Sequence, residues 1–281
     1  MSRTLAVLLL AAAGCTWGAT FPVVKAALAD SGPLTFLALR FALASLLLMP
    51  LLRWRGGVPA WRAVTCGLAL LVGYVLQTVG LTTTTPARSA FITALSAVLV
   101  PAIEPVFGLG RATRRVWCGA CVALLGLAVL LRPDAGSLSM GDLLTVGCAV
   151  VFAFHVLLLQ WTVRAVPINR ATTVQVFTTA ALAIPLAGLE GCRVVPTARL
   201  AIAVLVCAVL ATVAAFWVMT AVQRVLSAAA TAVVLTLEPV AAAVTSLLMG
   251  EDVLSLAMVA GGVLVVGGVV LATATPRQKP H

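Results

Sequence analysis

Two carboxylates stand where water is scarce. Glu104 and Glu238 each lie inside a long apolar run, and a proline follows each directly. An ionised carboxylate at the centre of a membrane span costs roughly 2.5–3.5 kcal/mol on the insertion scale that gives this range for Asp. Such a residue persists when it is protonated, paired or facing water. A carboxylate that can lose and regain a proton suits a carrier that exchanges protons for a solute. The alternative role is structural: proline frees a nearby carbonyl, and the acid satisfies local backbone or a neighbouring helix.

Other polar and aromatic residues interrupt the apolar runs. Arg40 is the basic residue placed well inside one; its guanidinium could receive an anionic substrate, pair with a Glu, or snorkel to an interface. His155 could relay protons near neutral pH or serve as a hydrogen-bonded core residue. Trp17 adjoins Gly18 and precedes Pro22, so a kink there would make it the wall of a substrate cavity. Tyr74 and Gln77 lie one helical turn apart and share a face that could line a pore. Gln175 and Trp217 complete the candidate cavity set. Trp54, Trp61, Trp117 and Trp161 fall near run ends and are expected as interfacial anchors.

These residues need a scaffold, and composition specifies its solvent. Of 281 residues, 62% are hydrophobic and 9% charged, and mean hydropathy is +1.17. That excludes a soluble enzyme, a disordered chain and a nucleic-acid binder, and leaves a polytopic helical membrane protein. Apolar runs predict ten spans, at 4–27, 33–52, 60–81, 86–108, 115–132, 139–163, 170–190, 197–222, 227–249 and 253–273. The first run is too long for a signal-peptide core and is expected to be retained. The seven cysteines, with the Cys118/Cys121 pair lacking a partner pair, are expected as small buried hydrophobes.

Charge sets the orientation. With the N-terminus in the cytoplasm, the cytoplasmic segments hold Arg3, Arg53, Arg55, Arg62, Arg111, Arg114, Arg115, Arg164, Arg170, Arg224, Arg277 and Lys279. The other side holds five basic residues, Lys25, Arg88, Arg132, Arg193 and Arg199, with Asp30, Asp134, Asp142, Glu190, Glu251 and Asp252. The excess of Lys and Arg predicts both termini in the cytoplasm.

The halves echo one another. A shift of 135 residues places Trp17 on Phe152, Thr20 on His155 and Arg40 on Gln175. A shift of 138 places Ser89 on Ser227, Pro101 on Pro239 and therefore Val100 on Glu238; a shift of 142 places Gly119 on Gly261 and Gly126 on Gly268. A carboxylate facing a methyl group across the repeat marks Glu238 as the better proton carrier of the two. The predicted fold is all-α and integral to the membrane: ten transmembrane helices in two five-helix repeats, inverted because five is odd. The predicted boundaries are 1–135 and 136–275, followed by a cytoplasmic tail at 276–281. The Gly-rich spans five and ten are expected outside the cavity as packing elements.

The ordered set Trp17-Gly18-Ala19-Thr20-Phe21-Pro22 with Lys25, Arg40-Phe41, Ser89 to Pro101, Ser227 to Glu238-Pro239, and Gly250-Glu251 resembles the drug/metabolite transporter superfamily of EamA type. The resemblance covers nearly the whole chain. It implies a secondary carrier, and the Glu expected after each fourth span is present as Glu251 but replaced by Gly110-Arg111-Ala112-Thr113 in the first repeat. The expected function is export of a small organic metabolite or drug across the cytoplasmic membrane. Its partners would be a small-molecule substrate, the lipid bilayer and, if coupled, protons. The rival class is a membrane-embedded enzyme or assembly factor without transport. No Walker A, HExxH or GxSxG pattern occurs, and two histidines make a His-rich metal site unexpected, so neither cofactor nor metal is anticipated.

Overall fold

In the computed structural model, residues 1–51, 60–131, 138–248 and 254–274 are described. Trp54, Arg132, Asp134, Glu251, Asp252 and the basic tail fall outside them. The chain is all-helical: α1 (Arg3–Ala27), α2 (Pro33–Leu48), α3 (Trp61–Gly80), α4 (Pro86–Thr93), α5 (Ser96–Ile103), α6 (Arg114–Leu131), α7 (Met140–Val163), α8 (Ile168–Leu189), α9 (Ala198–Ala208), α10 (Ala215–Val222), α11 (Ala228–Val234), α12 (Leu237–Leu248) and α13 (Leu256–Thr273). Among the described residues, nine helical segments are long and apolar enough to cross a membrane. The eighteen residues of α6 make the tenth span.

Three of the ten spans are not regular. The fourth breaks between α4 and α5, where Leu95 N donates to Ile92 O and Ala97 N to Ala94 O. The ninth breaks in the same way between α11 and α12, where Thr236 N donates to Val233 O and Glu238 N to Leu235 O. This matching pattern corrects the register read from sequence: Glu238 is the equivalent of Ala97, not of Val100. The eighth span holds a π-turn at Val209–Ala214 between α9 and α10. Such turns mark sites where regular packing has been given up for another purpose.

The packing follows a pseudo-twofold. α2 lies on its repeat partner α8, and α6 on α13. α1 packs on α10 and α12, as α7 packs on α3, α4 and α5. The repeats are therefore interleaved. Their inversion is visible in α6 and α13. A Cβ on Gly119 would stand 2.5 Å from Gly268 O, and one on Gly126 would stand 2.7 Å from Gly261 O. As the residue number rises on one helix it falls on the other, so equivalent helices run antiparallel. The reciprocal distances, 2.5 Å from Gly268 to Gly119 O and 2.5 Å from Gly261 to Gly126 O, leave no room for a side chain. Lipid solvates Leu as well as a helix does, so close backbone approach is what holds such a pair. Gly262 and Gly267 of α13 have no such neighbour.

The two ends of the bundle are built differently. At the end carrying Lys25, the loop after α1 meets the loop after α8: Gly32 N donates to Arg193 O at 3.1 Å and Val195 N to Asp30 O at 2.7 Å. The Glu190 carboxylate accepts from Leu34 N, Thr35 N and Thr35 Oγ1 at the α2 N-terminus, where the helix dipole favours an anion. Arg199 Nε and Nη2 reach Asp30 at 2.8 and 2.7 Å. Hydrogen bonds from Arg199 and Thr197 hold the Asp30 carboxyl down at about 2, so it is ionised at neutral pH. At the opposite end Arg62 lies over Trp161, its Cζ 3.8 Å from the ring centroid, with Trp61 against Trp161. Trp61 and Trp117 are exposed, as anchors would be.

The cysteines divide. Cys66, Cys148 and Cys207 are buried, but Cys15, Cys118, Cys121 and Cys192 are exposed. The expectation of burial for all seven is corrected: the outer face of the bundle is apolar too, so hydropathy does not distinguish a core position from one facing lipid.

Adjacent glycines of α13 provide a test of the packing. Gly268→Ala should destabilise the protein by about 1–3 kcal/mol through overpacking. Gly267→Ala, with nothing within 4 Å, should be neutral or stabilising by up to about 1 kcal/mol through helix propensity. Thermal unfolding of the two variants in detergent distinguishes them; equal midpoints would reject the tight Gly–Gly crossing.

Candidate functional site

The break in each broken span faces a central cavity with about 830 Å³ of empty space, including its open mouth. Its walls come in pairs related by the pseudo-twofold. Trp17 and Phe152 are one pair; Thr20 and His155, Tyr74 and Phe216, Gln77 and Met219, and Ala94 and Leu235 are others. The register of the Tyr74 pair is fixed by matching helix ends, since Leu81 N donates to Gln77 O as Gln223 N donates to Met219 O. The cavity therefore lies on the axis between the repeats.

A cluster of aromatic rings forms part of the wall. The Phe216 centroid lies 5.2 Å from Trp17, 6.3 Å from Tyr74 and 5.9 Å from the His155 ring. Phe152 stands edge-on to Tyr74 at 5.4 Å. The sequence reading did not single out Phe152 or Phe216 as site residues. Their signal was the alignment to Trp17 and Tyr74 across the repeat, which aromatic type alone does not disclose.

Arg40 is buried and faces the π-turn. Its Nε donates to Thr212 Oγ1 at 2.8 Å; Nη2 donates to Tyr74 Oη at 3.0 Å and to Ala211 O at 3.1 Å. The guanidinium carbon sits 4.5 Å from the Tyr74 ring centroid. Trp17 Nε1 donates to the same Ala211 O at 2.7 Å. The π-turn thus offers one carbonyl to two donors from two other spans. Neither snorkelling nor pairing with a Glu describes Arg40, since its partners are a hydroxyl, a phenol and a carbonyl.

Glu238 occupies the first turn of α12, just past the break, and lines the cavity. Among the described residues no hydrogen bond or ion pair meets its carboxylate. Gly18 allows α1 to pass against it: a Cβ there would stand 2.0 Å from Glu238 O and 2.9 Å from Ala241 Cβ. The glycine beside Trp17 therefore serves a helix crossing, and it brings the indole and the carboxylate to one cavity.

His155 lines the cavity with Nε2 2.9 Å from Gln175 Oε1. Gln175 Nε2 donates in turn to Thr220 Oγ1 at 3.4 Å. Gln175 is fully buried behind His155 and does not line the cavity. Gln77 lines it and donates to Thr93 Oγ1 at 3.5 Å.

Besides Gln175, two more candidates lie elsewhere. Trp217 is 41% exposed and donates from Nε1 to Asn169 Oδ1 at 2.9 Å. It faces away from the cavity because Phe216 faces in, and neighbours on a helix point about 100° apart. Glu104 is buried in the 3₁₀ turn Glu104–Phe107 after α5, where its carboxylate meets Ala229 N near Arg164. It sits at the α11 N-terminus and does not line the cavity. A helix N-terminus is a position where the helix dipole favours an anion.

The ends of the cavity are held by a pair of equivalent side chains with different chemistry. Lys25 Nζ donates to Leu81 O, and to Thr82 O and Thr84 O at 3.2 Å each. Its partner one repeat on is Gln160, which donates from Nε2 to Leu226 O at 3.4 Å and accepts from Ala228 N at 2.6 Å. The exchange is complementary. Pro86 stands where Ala228 stands in the other repeat, so the first repeat has no N–H to satisfy and an acceptor-free ammonium suffices. At the Gln160 end, Gln223 Nε2 also donates to Val156 O at 3.1 Å. Lining residues reach Val24, Thr78 and Leu81 near the Lys25 end, and the Gln160 and Gln223 ties lie beyond the floor.

The EamA-like transporter family matches the chain twice, over residues 4–132 and 139–274. An uncharacterized transporter of Archaeoglobus fulgidus is 28% identical over 273 residues, covering 97% of this chain and 87% of the relative. A solved crystal structure is similar with a TM-score of 0.80 at 21% identity, covering 96% of this chain and 97% of the other, and it shares the fold. Two family matches, ten spans in two inverted repeats and a cavity on the axis between them agree: the chain belongs to the EamA-like transporter family and is a multi-pass membrane transporter.

Proposed function

We propose that the protein is a secondary carrier of the cytoplasmic membrane that exports a small organic metabolite or drug by alternating access. Repeats 1–135 and 136–275 rock about the cavity, and the tail 276–281 lies in the cytoplasm with the N-terminus. The observation that carries the reading is Glu238, an unpaired carboxylate on a cavity wall at a helix break. Discontinuous helices that meet at a repeat interface are where carriers bind substrate and coupling ions.

Export against a gradient needs a source of energy, and Glu238 supplies a route for proton antiport. The titratable or charged side chains around it are Cys15 of α1, Tyr74 of α3 and Cys148 of α7, with Arg40 and His155 elsewhere on the cavity wall. None of these forms an ion pair with it among the described residues. A proton and a substrate can therefore alternate on one carboxylate. Movement in the ionised, empty state is disfavoured by the apolar surroundings. That rule gives exchange and not leak.

The orientation follows from charge: the Arg62 end is cytoplasmic and the Lys25 end faces out. The cavity's lining then favours an outward-open state closed on the inside by Gln160 and Gln223. Opening inward requires those ties to break while α1 and the turn at 81–85 close over the cavity.

Three outcomes are expected. In a cysteine-free background, Thr113→Cys should label from the cytoplasmic side and Ala29→Cys from outside; the reverse pattern would reject the orientation. Glu238→Gln in proteoliposomes should abolish pH-gradient-driven transport while counterflow exchange persists only at substrate concentrations raised about tenfold or more, with folding checked by monodispersity. Undiminished pH-driven transport would exclude Glu238 as the coupling group. Gln223→Ala removes one inner hydrogen bond, worth about 1 kcal/mol, and should raise labelling of Ser96→Cys from the inside about fivefold. Unchanged or reduced inside labelling would show that this tie does not hold the inner gate.

A further inference from the structure

The cavity's walls include five aromatic side chains besides His155, and its polar groups differ in what they have left to offer. Gln77 is engaged with Thr93, Thr20 Oγ1 donates to Trp17 O, and His155 rests on Gln175. Arg40 holds the π-turn through Thr212 and Ala211 and donates a third hydrogen bond to Tyr74; it is 3% exposed and lies against the face of Tyr74. Glu238 is the cavity carboxylate with no partner among the described residues. The cavity it lines also presents Trp17, Phe21, Phe152 and Phe216, whose rings carry negative faces. Rings with a carboxylate are the surroundings that attract an organic cation, through cation–π contact and charge together.

We propose that the cavity takes an organic monocation: an ammonium group on a flat apolar body, its charge at Glu238 and its body among the rings of Trp17, Phe152 and Phe216. The inference rests on the cavity being the transport site and adds the substrate's chemical class. A cation on Glu238 neutralises a carboxylate that has no other counter-ion. An anion would meet that carboxylate unscreened. A zwitterion would need Arg40 as its second pole, but Nε and Nη2 of the guanidinium are committed to Thr212, Tyr74 and Ala211. Trp17, Tyr74 and Phe216 already meet one another at 5.2–6.3 Å between centroids, so an aromatic body would lie against the cavity side of these rings and not between them.

Three probes with one body separate the possibilities. At pH 7, 2-phenylethylamine is a cation, phenylalanine a zwitterion and 3-phenylpropanoate an anion. Equilibrium binding of each to the full chain in phosphatidylcholine nanodiscs, corrected with empty nanodiscs, should rank the amine tightest. Glu238→Gln should weaken the amine at least about tenfold, since a hydrogen bond to a charged group is lost. Phe216→Leu should weaken it about threefold through the lost ring face. Tighter binding of phenylalanine or of the anion, no binding of the amine, or amine binding unchanged in Glu238→Gln would each overturn the proposal. The ranking on the unaltered protein holds as a test even if a variant fails to fold. Amine binding without pH-driven transport would remove the antiport reading and leave this one standing.

Discussion

A backbone amide or carbonyl left unpaired in hydrocarbon costs several kcal/mol, so a membrane helix can be interrupted only where something else answers it. The site depends on that constraint. The fourth and ninth spans break at equivalent points, and the breaks close with tight turns facing the cavity instead of lipid. The eighth span widens into a π-turn, and its Ala211 carbonyl receives an indole and a guanidinium from two other spans. Irregular backbone and polar side chains are thus gathered in one place. A cavity forms there because the helices cannot pack regularly across it.

Symmetry builds the site and asymmetry equips it. The walls are paired across the pseudo-twofold, yet the pairs differ in chemistry. Thr20 faces His155, Ala97 corresponds to Glu238, and Lys25 corresponds to Gln160. Each difference has a local cause or consequence. Pro86 removes an N–H that Ala228 presents, so a cation suffices at one turn and an amide is required at the other. Away from the axis the repeats remain alike: α6 and α13 meet through reciprocal glycines, and this crossing leaves the cavity untouched. Substitutions in the two regions should therefore have separable effects, on stability at the Gly crossing and on transport at the axis.

Hydropathy and charge determined the all-helical membrane class and the ten spans, because an apolar run of about 20 residues has one use in a chain this poor in charge, and the internal echo of residue types added the inverted repeats. Spacing and type also pointed to Trp17, Arg40, Tyr74, Gln77, His155 and Glu238, which the folded chain brings to one cavity. Only tertiary structure decided the rest. Trp217 and Phe216 are adjacent in sequence and equally apolar in context, and the rotation of α10 sends one to the cavity and the other outward. Glu104 and Glu238 share a Glu-Pro pattern, yet one meets the backbone at the start of α11 and the other lines the cavity, because the helix breaks fall at different distances from them. Gly267 and Gly268 cannot be told apart by composition; the antiparallel partner helix makes one indispensable and leaves the other free. In each case the deciding quantity is the direction in which a side chain points relative to a distant helix. A membrane sequence does not encode that in hydropathy, since its lipid face and its core are both apolar.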